Sequence, residues 1–84
     1  MTEEDVKKKI REYLLKSIIS IKDDISENES LIESGLIDSF GIVELSFFVK
    51  KAFGVSVKDF EILDAKADNL EKLAGLVIGK AGQR

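Results

Sequence analysis

The residues of this chain best placed to do chemistry are Asp38 and Ser39, where the glycine-containing segment Leu31–Ile37 gives way to the apolar run from Phe40 to Leu45. A serine at the mouth of a helix has two uses. Its oxygen can cap the helix by accepting a backbone N–H, or its hydroxyl can stand exposed as a place to attach a group. Asp and Ser are both preferred N-cap residues, so local chemistry alone favours the cap. Two cap-competent residues in succession keep the other outcome open. With Asp38 supplying the capping oxygen, the Ser39 hydroxyl points outward, and a phosphodiester on it would lie beside free N–H groups at the positive end of the helix. Catalysis by Ser39 lacks its parts, because the chain contains no His and no Cys. No imidazole base, thiolate nucleophile or Cys/His metal site can be built. The expectation is an acceptor site without a metal, in a protein that is not an enzyme.

Composition sets the frame for that site. Eighty-four residues allow one core and one domain spanning 1–84. Hydrophobic residues at 44%, charged residues at 35% and the absence of proline suit a small helical bundle. The net charge of −3 speaks against general nucleic-acid binding, which needs clustered Lys and Arg to neutralise phosphates. The N-terminus, Thr2-Glu3-Glu4-Asp5, is acidic where a signal peptide would be basic, and no apolar run approaches the roughly 20 residues that span a bilayer. A cytoplasmic monomer without membrane insertion is expected.

Hydrophobic spacing divides the chain into elements. Val6, Ile10, Leu14, Ile18 and Ile21 recur at three and four residues, predicting a helix from about Glu3 to Ile21 with Thr2 as N-cap. Lys7, Lys8, Lys9 and Arg11 fall to its wet face. From Lys22 to Asp38 the pattern fades into a long loop anchored by Ile25, Leu31, Ile32, Leu36 and Ile37. A second helix is predicted from Ser39 to Phe53, closed by Gly54, with Lys50 and Lys51 in its last turn. Val55-Ser56-Val57 reads as an extended connector, and Asp59 to Leu63 as a short helix anchored by Phe60 and Leu63. Asp68 caps a last helix in capping-box spacing with Glu71, with Leu70, Leu73, Leu76 and Val77 as its stripe. Gly79 is the predicted stop, leaving 79–84 as a frayed tail. Leu31, Leu36, Val49, Phe53, Phe60, Leu70 and Leu73 are the expected core.

The second helix carries more apolar surface than a core face needs. Ile42, Leu45, Val49 and Phe53 share one face, while Phe40, Val43, Phe47 and Phe48 lie to its sides or beyond. Such a cluster calls for a partner, a packed loop or a neighbouring helix to cover it, and the simplest reading is that the long loop covers Phe47 and Phe48.

The segment Leu31-x-x-Ser34-Gly35-Leu36-Ile37-Asp38-Ser39-Phe40 resembles the signature of acyl, peptidyl and D-alanyl carrier proteins. The likeness covers most of the chain, from the long first helix to the last, including the closure of the motif helix at Ala52-Phe53-Gly54-Val55. It implies an all-α, four-helix carrier fold with three main helices and one short one. It also implies a covalent 4′-phosphopantetheine arm on Ser39, drawn from coenzyme A, with Asp38 as the acidic residue of the motif. The arm's thiol would hold an acyl or aminoacyl group as a thioester. The implied partners are a phosphopantetheinyl transferase, an activating ligase, and a downstream transferase or synthase of fatty-acid, polyketide or nonribosomal-peptide assembly. Phe40, Val43 and Glu44 match positions through which such carriers meet their enzymes, and Phe47 extends that row.

Three departures bear on partner choice. Phe40 replaces the usual Leu or Met, Gly41 stands where fatty-acid carriers commonly have an acidic residue, and Lys50 and Lys51 stand where those are usually acidic. Reversed charge weakens encounter with enzymes that offer basic patches. The motif is closer to D-alanyl carriers and specialised stand-alone acyl carriers than to a housekeeping fatty-acid carrier. A cavity between the second and third helices for the attached chain is a further hypothesis. The rival reading is a degenerate carrier fold acting as a non-covalent adaptor, docking through Phe40, Val43 and Phe47 with Ser39 only a cap.

Overall fold

The computed structural model describes residues 2–18 and 25–82, and among these the regular structure is entirely helical. The order is α1 (Glu3–Tyr13), continued by a π-helical turn (Leu14–Ile18), then α2 (Ser39–Phe53), α3 (Asp59–Asp64) and α4 (Leu70–Ala81). It is a small helical bundle of three main helices and one short one, as the periodicity predicts. α1 packs chiefly on α4, and α2 on α3.

Thr2 starts α1 as expected, its Oγ1 accepting the Asp5 N–H at 3.1 Å, and three acidic residues occupy the first turn where the macrodipole favours them. Val6, Ile10 and Leu14 are fully buried. The regular α-helix stops at Tyr13 and widens into the π turn, so the predicted end at Ile21 lies outside the described residues. Lys7 corrects the wet-face assignment. It is buried, and its ammonium meets Glu27 at 3.1 Å and Glu4 at 3.5 Å, so the charge is paired as its methylene stem packs inward.

α2 has the predicted bounds. Gly54 ends it in the left-handed conformation (φ +70°), its N–H bonding the Lys50 carbonyl at 2.9 Å. Ile42, Leu45 and Val49 are fully buried. Phe53 and Leu36, expected in the core, are only half-buried at its edge. Phe48 is covered, though by α1 and not by the loop: the Tyr13 ring stacks on it at 4.1 Å between centroids, and Phe53 meets its edge at 6.2 Å. The connector alternates as read, with Val55 and Val57 buried and Ser56 exposed, and Ser46 Oγ ties it to α2 by donating to the Val57 carbonyl.

Three further expectations are corrected. Ile62, not Phe60 or Leu63, anchors α3: one residue of helical phase turns Ile62 inward and leaves Phe60 58% and Leu63 40% exposed. Asn69, not Asp68, caps α4, its Oδ1 accepting the Lys72 N–H at 2.8 Å. α4 runs past Gly79 to Ala81, so the tail begins later than the glycine implied. The added turn is held by the ion pair of Lys80 with Glu61 on α3 and by Ala81 packing against the core. Lys66 turns the chain from α3 to α4 at φ +51°, with its own N–H on the Leu63 carbonyl and that of Ala67 on Ile62, a Schellman ending built without glycine.

Candidate functional site

The site is built where the long loop enters α2. Asp38, in extended conformation, is the N-cap, and its Oδ1 accepts the Gly41 N–H at 2.9 Å. The Asp38 carbonyl accepts the first intrahelical bond, from Ile42 at 3.1 Å. Capping is therefore complete without Ser39. The Ser39 side chain is exposed, and among the described residues its hydroxyl has no hydrogen-bond partner. The backbone N–H groups of Ser39 and Phe40 likewise have none among the described residues and remain at the positive end of the helix.

The loop that presents Ser39 is pinned at its far end. Asp68 accepts the Ser30 hydroxyl and the Ile32 N–H (3.1 Å) on one carboxylate oxygen, and its carbonyl accepts the Leu31 N–H at 2.8 Å. Leu31 and Ile37 are then buried, and the Ile37 N–H closes back on the Leu31 carbonyl at 3.1 Å. Between them Gly35 takes φ +78°, the left-handed conformation that glycine adopts without a Cβ penalty. Gly41 is buried, and a Cβ there would fall 3.0 Å from Ile37 Cβ. Its lack of a side chain thus serves packing as well as leaving the first turn uncharged.

Of the predicted partner residues, Phe40 is 68% and Phe47 71% exposed, while Val43 and Glu44 between them are half-buried. The four lie on adjoining turns of α2. A groove of about 750 Å³ runs beside Ser39, lined by Ile32, Leu36, Glu44 and Leu63. A notch of about 250 Å³ opens between α2 and the stretch leading into α3, lined by Val43, Ser46, Phe47, Val57 and Lys58. On the other side of Phe47, a groove of about 710 Å³ is bordered by Tyr13, Glu44, Phe48 and Lys51. Burial, and after it the nearby Glu44 carboxylate, pushes the Tyr13 phenol up from its usual pKa, so Tyr13 is a neutral stacking surface here.

Sequence reasoning missed Ser30 and Asp68, which hold the loop, because the two are 38 residues apart and neither carries a local signal for the other. It missed Lys58 and Tyr13 beside Phe47 for the same reason. No family model matches the chain, and no curated protein matches it.

Proposed function

We propose that this chain is a carrier protein that bears a 4′-phosphopantetheine arm on Ser39 and passes a thioester-linked acyl or aminoacyl group between partner enzymes. The observation that carries the reading is the division of labour at the helix mouth. Asp38 satisfies the cap, at 2.9 Å to Gly41 N–H, and the neighbouring hydroxyl is left exposed and, among the described residues, uncommitted. The residues fit the group: Ser39 Oγ offers the ester oxygen, and the N–H groups of Ser39 and Phe40 favour a phosphodiester charge beside it. When bound, the arm supplies the thiol that a chain without Cys lacks. The protein's own residues hold and display it: Asp68 and Ser30 fix the loop, Gly35 turns it, and Asp38 aims the first turn. With no His in the chain, the base that takes the Ser39 proton must come from a transferase. The reading makes the protein a cytoplasmic monomer whose partners are that transferase, an activating ligase and an acceptor enzyme.

The cargo class we favour is that of D-alanyl or specialised acyl carriers, because Lys50 and Lys51 are exposed at the end of α2 where fatty-acid enzymes would need acidic groups. Co-expression with a broad-specificity phosphopantetheinyl transferase should add the mass of one arm, and Ser39→Ala should abolish the addition. An unmodified wild type with several transferases would overturn the proposal.

The exposure of Phe40 and Phe47 favours a second reading, a non-covalent adaptor. There Ser39→Ala would leave partner binding intact, while Phe40→Ala would weaken it by about 2 kcal/mol, as loss of an aromatic anchor does.

A further inference from the structure

The most exposed aromatic in the chain, Phe47, has three lysines around it. Lys50 and Lys51 follow it by one turn on α2, Lys51 bordering the groove toward Tyr13 and Lys50 the notch toward α3. Lys58 closes the notch from the opposite side. All three are exposed, and none forms an ion pair among the described residues. The macrodipole accounts for Lys50 and Lys51, which stand in the last turn of α2. It does not account for Lys58, the N-cap of α3, where a cation is disfavoured and a Ser, Thr, Asp or Asn would serve better. Lys58 makes no side-chain cap bond; Glu61 instead reaches back to the Lys58 N–H at 3.0 Å. A third positive charge thus stands beside the aromatic at the start of α3, within electrostatic reach of Glu61, in a chain whose net charge is −3.

We infer that the Phe47 face of α2 docks an acidic amphipathic helix of a partner protein. An apolar side chain of that helix seats against Phe47, and its carboxylates one turn away reach Lys50, Lys51 and Lys58. The acidic groups near these lysines are Glu44, one turn toward Ser39, Asp59 at the notch, and Glu61, whose carboxylate lies within electrostatic reach of Lys58. They set the polarity: the partner's carboxylates lie toward the Gly54 end, about 5 Å or one turn beyond the apolar contact, and away from Glu44. A flat anionic bilayer fits less well, because it would press on Glu44 and Asp59 together with the lysines. The inference names the partner chemistry of the proposed docking row and rests on that row, not on modification of Ser39.

The test uses the full-length chain, confirmed by mass to be unmodified. It is titrated by heteronuclear NMR with a designed 18-residue helix carrying a leucine stripe flanked by Glu, with the same helix carrying Lys for Glu, and with phosphatidylglycerol vesicles. The acidic helix should shift the amides of 43–51 and 58 and bind at least tenfold more tightly than the basic one. Phe47→Ala should weaken it about tenfold. The triple variant Lys50→Gln, Lys51→Gln, Lys58→Gln, with circular dichroism unchanged, should erase the preference for acidic over basic, and raising salt should do the same in the wild type. Equal binding of the two helices, shifts confined to other faces, a preference that survives the triple substitution, or binding to vesicles alone would overturn the inference. Whether Ser39 accepts an arm is read separately by mass, so either result can fail without the other.

Discussion

Asp38 and Ser39 are neighbours with different tasks, and their replacements should fail differently. Asp38→Ala removes the carboxylate that accepts the Gly41 N–H and should cost about 1 kcal/mol, read as a lower urea midpoint with unchanged slope. It should also slow arm transfer, since the first turn that presents Ser39 frays. Ser39→Ala, at an exposed side chain with no partner among the described residues, should leave stability within about 0.5 kcal/mol of wild type while removing the acceptor. A Ser39→Ala variant as unstable as Asp38→Ala would mean that Ser39 is part of the cap. Both residues were legible in the sequence because capping is local chemistry, confined to three or four successive residues.

At the scale of elements, the loop and α4 are joined through Asp68, a residue that reads from sequence as the helix cap. Its recruitment by Ser30 and Ile32 moves the capping duty to Asn69, and only a contact between distant segments decides which of two adjacent cap-competent residues takes it. Asp68→Ala leaves the Ile32 N–H and the Ser30 hydroxyl without their acceptor and should cost about 2 kcal/mol by urea unfolding, more than Asn69→Ala at about 1 kcal/mol. The reverse order would return the capping role to Asp68. α3 and α4 are linked by Glu61 and Lys80, and the Lys80 ammonium, followed by the Lys58 backbone N–H, holds the Glu61 carboxyl below its ordinary value of 4.5. The unfolded chain therefore binds a proton at Glu61 before the folded one does. The stabilisation is present above pH about 4.5 and is lost as pH falls through the lower folded value. Glu61→Gln should flatten that acid limb of the urea midpoint against pH, and an unchanged limb would show that the pair does not couple to folding. The same pair explains why α4 outlasts Gly79, an extension that glycine's poor helix propensity hides from a reading by sequence alone.

Across the whole molecule, strong periodicity was readable and phase in short elements was not. α2 offers fifteen residues with a cap at each end, and its bounds emerge intact. α3 offers six, too few to fix which side faces inward, so Ile62 and not Phe60 belongs to the core. Lys7 was misassigned because its charge is neutralised by Glu27, twenty residues away. The exposed row on α2 was legible as surplus apolar surface, while Tyr13 and Lys58, which frame it, come from other elements and could be found only by folding. The proposed carrier role stands or falls with Ser39 as the attachment point. The direct measurement is peptide-level mass spectrometry after the chain is incubated with coenzyme A and a broad phosphopantetheinyl transferase. One added arm is expected, on the fragment containing Ser39 and on that serine rather than Ser34. A wild-type chain of unchanged mass with several active transferases, or an arm that persists in Ser39→Ala, would contradict it.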